Sequence, residues 1–443
     1  MAKQDARVLK GFRDYVPEDM ILRQKLTEIF RTVFERHGFE PIDTPTLEYL
    51  DVLTGKAGEN EKLMYHFEDH GGRRVGLRYD LTVPLARFVA MHENDIVLPF
   101  KRYHIAPVWR AEKPQRGRFR EFVQCDADIV GSSSMLADAE GISVLADAIH
   151  AVGLPQAVIS INNRKLLEAM ARLAGVPADQ AGEVFRAIDK LDKIGGDGVR
   201  QELVKSGVTD ASAEQVLALV TEQGESDELL DRAEKHLADI DGGPQAVQEL
   251  RDLTRHLNDL GVDPGSWKID LALARGIDYY TGPVCEAKVE TPKVGSVAGA
   301  GRYDGLIGNF LGRDIPATGV SLGFERILEV VREYNLLDIP LAVADVFMVY
   351  LPDTIGEASR IVRALRGEGL RVDQSIMDNR GMGAQLKAAD RRGIPFAIIP
   401  GTDELDRGEV SLKNLRSGEQ TRVGISQLAS TILEGVRVEP AAR

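Results

Sequence analysis

Residues 101–131 read KRYHIAPVWRAEKPQRGRFREFVQCDADIVG, two long strands joined by a short basic loop at 113–117. Alternate residues of a strand share a face. On the first strand this sets Arg110 and Glu112 together, with Ile105 and Trp109 on the opposite side. On the second it sets Arg118, Arg120, Gln124, Asp126 and Asp128 on one face, and Phe119, Val123, Cys125, Ala127 and Ile129 on the other. One side reads as core. The other carries guanidiniums, an amide and carboxylates, groups suited to a zwitterionic ligand joined to a phosphate. On alternation alone the ordinary reading is a half-buried hairpin with a solvated face. The wording of the segment and of its surroundings has to decide between the two.

Upstream of the hairpin, residues 18–37 space Leu22, Leu26, Ile29, Phe30, Val33 and Phe34 along one helical face, with Pro17 before and Gly38 after. Residues 66–69 and 73–78 flank a Gly71–Gly72 turn and predict a second hairpin. Residues 82–91 predict a short helix with Pro84 in its first turn, where no N–H is needed. Downstream come a helix at 136–152 and a strand at 157–162. From 176 to 261 the chain turns Ala/Leu-rich and acidic, with Gly–Gly pairs at 195–196 and 242–243, and predicts a helical insertion. Strands resume at 267–273 and 283–290, and 335–344 reads as a connection between domains. Beyond it, strand and helix patterns alternate at 346–351, 356–366, 371–374, 383–392 and 396–399, which predicts a small α/β domain with a largely parallel sheet.

The chain of 443 residues is too long for one compact core. Its division is expected as 1–175 with 262–334, an insertion at 176–261, and a last domain at 345–436. No apolar run reaches membrane-spanning length, and MAKQDARVLKGF lacks the apolar core of a signal peptide, so a cytoplasmic location is expected. The two cysteines, Cys125 and Cys285, lie far apart in predicted strands and read as buried apolar residues of a reducing compartment. Net charge is −14, which argues against wholesale nucleic-acid binding. Residues 176–261 hold 9 Lys and Arg against 19 Asp and Glu, whereas 345–443 hold 14 of each. The balanced tail leaves room for local basic patches facing an RNA partner.

The wording of 101–131 resembles motif 2 of the class II aminoacyl-tRNA synthetases, and more narrowly the histidyl-tRNA synthetase family. Four further segments are similar to the same family in the right order: GFRDYVP at 11–17, RYDLTVPLARFVA at 78–90, LARGIDYYTG at 273–282, and GAGRYDGLIGNF…GVSLGFERI at 299–327. The resemblance spans nearly the whole chain. It implies an α+β catalytic domain on a mixed, mainly antiparallel sheet, the helical insertion, and a C-terminal α/β anticodon-binding domain. The activity implied is ATP-dependent activation of L-histidine to histidyl-adenylate, followed by transfer to the 3′ end of tRNA(His) by a homodimer. Mg²⁺ is implied as a screen for the pyrophosphate, with no metal site on the protein.

Such chemistry neutralises phosphate charge and holds an attacking oxygen in line, a task for arginine forks. By resemblance Arg110 contacts the α-phosphate and the amino-acid carboxylate, Glu112 lies near the adenine, and Arg118 is a second ATP-side group. Arg326, in the first turn of a helix, corresponds to the motif 3 arginine that packs on adenine and reaches the γ-phosphate. Arg275 resembles an additional catalytic arginine opposite Arg110, and Tyr279 and Tyr280 match histidine-pocket positions. Asp80 and Thr82 correspond to groups holding the α-ammonium, aided by Gln124. Asp128 is expected to accept from the imidazole N–H, opposite the Tyr280 hydroxyl. Asp80 and Asp128 stand where many bacterial relatives carry Glu. Gly299 and Gly301 are expected to clear backbone near the nucleotide, and His104 to be structural. Two other readings compete. A regulatory paralogue that partners ATP phosphoribosyltransferase usually lacks the C-terminal domain and the catalytic arginines. The threonine, proline and glycine enzymes share a related tail, but ARGIDYYTG argues against them.

Overall fold

The computed structural model describes residues 5–54, 62–154, 156–177, 181–222, 224–274, 279–378 and 380–438. They group into two compact units, 1–13 with 27–336 and 14–26 with 337–443.

The first unit is organised by eight strands. In chain order the unit's strands are β1 (Glu40–Pro41), β2 (Leu47–Tyr49), β3 (His66–Glu68), β4 (Arg74–Leu77), β5 (Phe100–Trp109), β6 (Glu121–Val130), β7 (Val158–Asn163), β8 (Trp267–Ile269), β9 (Pro283–Lys288), β10 (Ser296–Arg302) and β11 (Ala317–Gly323). Eight of them form one sheet in the order β1-β5-β6-β11-β10-β9-β7-β8, and β2-β4-β3 form a small separate one. Within the large sheet only β1/β5 and β7/β8 run parallel. The expected hairpin is present, pairing Phe100 with Val130 through to Trp109 with Glu121. β11 pairs along the other edge of β6, so that strand is central, and its polar face is covered instead of solvated. Gln124, Asp126 and Asp128 are all buried.

The helices flanking the sheet follow the apolar spacing. Pro17–Arg36 buries Phe30 and Phe34, with the Phe30 ring edge-on to Phe324 at 6.3 Å. Thr82–Met91 and Met135–Val152 match their expected positions to within a residue. The acidic stretch folds into helices Ala181–Ile188, Leu191–Lys205, Asp210–Val220, Ser226–Leu237 and Gly243–Asp259. The pair at 195–196 kinks a helix at Gly195 (φ 69°) instead of ending it, while the pair at 242–243 opens the last one.

The second unit contains β12 (Val346–Met348), β13 (Val372–Gln374), β14 (Phe396–Ile399), β15 (Glu409–Asn414) and β16 (Gln420–Gly424), in the order β13-β12-β14-β15-β16. β12 runs parallel to both neighbours, as expected. The sheet is nevertheless mixed, because β15 and β16 add an antiparallel hairpin. Both flank an NLRSGEQ turn whose polar run hides the strands on either side. The short β1 and β2 were not foreseen either, nor was β10, whose SVAGAGR has too few large side chains to read as a strand.

Candidate active site

The polar row of β6 is built by register. Gln124, Asp126 and Asp128 lie opposite Ala106, His104 and Arg102 on β5, and opposite Gly323, Ser321 and Gly319 on β11. Gln124 Nε2 donates to Ser321 Oγ at 3.1 Å and to both Asp126 oxygens at 3.3 Å. Its Oε1 accepts from Arg110 Nη2 at 3.4 Å. Arg110 stands just past β5, where Nε donates to the Tyr79 carbonyl at 2.9 Å and the guanidinium lies 5.1 Å from the Phe122 ring centre. Two bonds therefore aim this fork along the row.

Asp128 is gripped from two sides. Arg102 Nη2 lies 2.6 Å from its Oδ2, and the Tyr303 hydroxyl donates to its Oδ1. The carboxylate lies over Gly319, where an added Cβ would meet Oδ1 at 1.9 Å. Burial pushes both Asp126 and Asp128 up, Asp126 to about 7, helped by its charged neighbour Asp128 and opposed by Arg102. Asp80 is likewise buried and raised, with Arg110 and Arg102 opposing. Its Oδ1 accepts from Val83 N at 3.1 Å, which fixes the carboxylate at the start of the helix that carries buried Thr82.

Tyr279 links Tyr280 and Tyr303 in an edge-to-face chain, its ring centre 5.1 Å from the first and 6.0 Å from the second. Gly301 serves Tyr280: a Cβ there would meet its ring at 2.4 Å. That glycine thus clears a tyrosine of its own chain. Glu112 and Arg118 face each other at 3.6 Å in the more exposed loop. Arg326 donates to the Ser296 carbonyl, and its Cγ would lie 3.3 Å from a Cβ on Gly117, so the hairpin loop and the motif 3 arginine meet. Arg275 lies outside the described residues.

Arg120 departs from its expected face. Its Nε donates to the Glu112 carbonyl at 3.1 Å and Nη1 to the Lys10 carbonyl at 3.3 Å, so it braces the loop. His104 is structural: Nε2 donates to Asp43 Oδ1 at 2.9 Å, and burial pushes the imidazole down to about 4. Cys125 and Cys285 are buried, as expected. Sequence reasoning passed over Arg102, Tyr303 and Ser321. For Tyr303 a signal existed: a buried hydroxyl needs an acceptor, and Asp128 needed a donor. Arg13 was also missed. It lies 3.3 Å over the Phe119 ring and pairs with buried Glu325 at 2.7 Å.

A mainly antiparallel sheet with an arginine ending its motif 2 strand and another opening the motif 3 helix is that of a class II aminoacyl-tRNA synthetase. The sequence profile of the histidyl-tRNA synthetase family matches residues 11–327, and that of an anticodon binding domain matches 345–435. The chain is 42% identical to the histidine–tRNA ligase of Aeropyrum pernix over 98% of this chain and 99% of that one. It is 43% identical to that of Rhodopirellula baltica, over 95% and 96%. The crystal structure of a histidyl-tRNA synthetase from Nostoc superposes with a TM-score of 0.89 at 34% identity, covering 98% of this chain and all of the other. The chain belongs to the histidyl-tRNA synthetase family. A Bacillus halodurans structure described as an ATP phosphoribosyltransferase regulatory subunit/histidyl-tRNA synthetase shares the fold, with a TM-score of 0.75 at 22% identity.

Proposed function

We infer that this chain activates L-histidine with ATP and passes it to tRNA(His), through the residues assigned below. Family membership makes it a histidine–tRNA ligase and a consumer of ATP. The matched anticodon binding domain favours the synthetase over a regulatory paralogue.

The observation that carries the residue assignments is the buried row Gln124–Asp126–Asp128 beside Arg110 and the tyrosine chain. An oxygen of the histidine carboxylate bonds to the α-phosphorus as the bond to the bridging oxygen breaks, and pyrophosphate leaves with the electron pair. Arg110 neutralises the carboxylate and α-phosphate, and Arg275 acts from the opposite side. Arg326 takes the adenine and γ-phosphate, with Glu112 and Arg118 on the ATP side; Mg²⁺ enters as part of MgATP. Asp80, Thr82 and Gln124 hold the α-ammonium. Tyr279 shapes the pocket, and the imidazole sits between Asp128 and Tyr280. A pocket that hydrogen-bonds both ring nitrogens leaves buried groups unpaired when an apolar amino acid enters, which is the basis of selectivity. In the second step a ribose hydroxyl of the tRNA terminus attacks the activated carbonyl and AMP leaves.

We assign 1–175 with 262–334 to catalysis, 176–261 to a helical insertion and 345–436 to anticodon binding. The small sheet exposes Leu47, Tyr49 and Phe67, an apolar surface suited to a second copy, in keeping with a homodimer. No described helix is long and apolar enough to cross a membrane, and we place the protein in the cytoplasm.

The test is histidine-dependent exchange of pyrophosphate into ATP by wild type and by Arg275→Ala. Wild type exchanges, and the variant is slower by roughly two to three orders of magnitude. No exchange in the wild type would overturn the function. Unimpaired exchange in the variant would remove the role of Arg275.

A further inference from the structure

Arg102 has no part in the chemistry above, and its surroundings differ from those of a structural arginine. It is fully buried, 0% exposed, on β5 directly opposite Asp128. Nη2 makes the 2.6 Å contact with Asp128 and donates to the Leu81 carbonyl at 3.4 Å. Nε and Nη1 are buried and have no acceptor among the described residues. Arg302 provides an internal control. At 3% exposed it is almost as buried, yet it donates to Asp138, to Asp304 and to the carbonyls of Ser132 and Ser134. Arg302 shows what a buried guanidinium needs when its task is to hold the fold together. Arg102 spends its burial almost wholly on one carboxylate.

That carboxylate has little freedom left. Tyr303 donates to Oδ1, Gly319 admits the side chain with no room for a Cβ, and Oδ2, charge-paired with Arg102, has no hydrogen-bond donor among the described residues. A carboxylate oxygen that is buried, faces a guanidinium and is short of a donor is disposed to accept an N–H from a ligand. We propose that Arg102 is a positioning residue for histidine recognition, fixing the charge and orientation of Asp128 so that its carboxylate receives the imidazole N–H. The proposal rests on the reading of Asp128 given above, and Arg102 acts on the ligand only through it.

The test measures KM for histidine, KM for ATP and kcat in pyrophosphate exchange for Arg102→Met, Arg102→Lys, Asp128→Asn and the Arg102→Met/Asp128→Asn double variant. For Arg102→Met, KM for histidine rises by about tenfold to a hundredfold, while KM for ATP and kcat move less than about threefold. Arg102→Lys, which keeps the charge without the fork, lies between wild type and the Met variant. The double variant matches Asp128→Asn, because the arginine has nothing left to position. It also leaves no lone buried charge, so it decides the matter even where Arg102→Met fails to fold. A raised KM in Asp128→Asn with a wild-type KM in Arg102→Met overturns this proposal alone. A further rise in the double variant overturns it too. A wild-type KM in Asp128→Asn removes the pocket reading of Asp128 and this proposal with it.

Discussion

Gln385 and Arg102 are both buried polar side chains of their units, and they differ in how their hydrogen-bonding capacity is met. In the C-terminal unit Gln385 Oε1 accepts from Tyr350 N at 2.8 Å, and Nε2 donates to the carbonyls of Tyr350 and Arg380 at 3.0 and 2.9 Å. Around it the core is apolar, with Val346, Phe347 and Met348 of β12 buried on both faces. In the catalytic unit the central strand β6 instead buries an amide and two carboxylates, and two nitrogens of Arg102 have no acceptor among the described residues. Full satisfaction suits a group whose task is stability. Incomplete satisfaction suits a surface that is finished by its substrate. With the site residues as proposed above, the difference teaches where each unit places its free energy: the tail in its fold, the catalytic sheet in binding.

Three experiments press on that contrast. Gly319→Ala puts a methyl where Asp128 Oδ1 lies, 1.9 Å away. It should raise KM for histidine by about tenfold or more and lower the melting temperature little; a large loss of stability with normal KM would break the contrast. Gln385→Leu strips three backbone groups of their partner, and should cost about 1–3 kcal/mol in the denaturation of the C-terminal unit. Pyrophosphate exchange should remain at the wild-type rate, and a loss there would show that the two kinds of buried polar group are not separable.

The smallest effect concerns a charged clasp within the catalytic unit. His37 Nε2 meets Asp147 at 2.9 Å and Nδ1 meets Glu140 at 3.4 Å, and Lys101 Nζ reaches Glu140 at 2.7 Å. Glu140 and then Asp147 raise the imidazole against the opposing effect of burial, while Glu140 itself is lowered to about 2. A raised His value means its contribution is complete below the unfolded value of about 6.5 and fades as pH climbs through the folded value. The lowered Glu140 contributes above its unfolded value and loses its effect as pH falls toward about 2. Wild type should therefore melt slightly higher at pH 6 than at pH 8, by about 1 °C, and His37→Gln should flatten the difference. An unchanged slope in the variant would assign it to other groups.

Much of this was legible in the sequence. The alternation of 123–129 separated the polar row of β6 from its apolar residues, and the row Gln124–Asp126–Asp128 with Arg110 nearby was read from it directly. What alternation could not reveal was cover: it describes one strand, whereas the groups that meet the polar row include Ser321 and Tyr303, nearly two hundred residues later. Arg102 escaped for the same reason, since a strand arginine is ordinarily a surface ion pair until its cross-strand partner is known. β10 was hidden because its glycines, which read as turn punctuation, make room for the tyrosine ring. Arg120 stood on the right face by parity, but parity fails past the strand end at Trp109 and Glu121, where the chain no longer pleats.

The chain's opening segment has a practical consequence. Gly11 accepts from Arg120 N at 2.9 Å, Phe12 stacks edge-on with Tyr65, and Arg13 bridges Phe119 and Glu325. These few residues work like a tendon laced across the hairpin tip to the helix that begins at Phe324. Anyone trimming the front of this protein, or tethering it there to a surface, would be pulling on the loop that holds Arg118, and should leave slack ahead of Gly11.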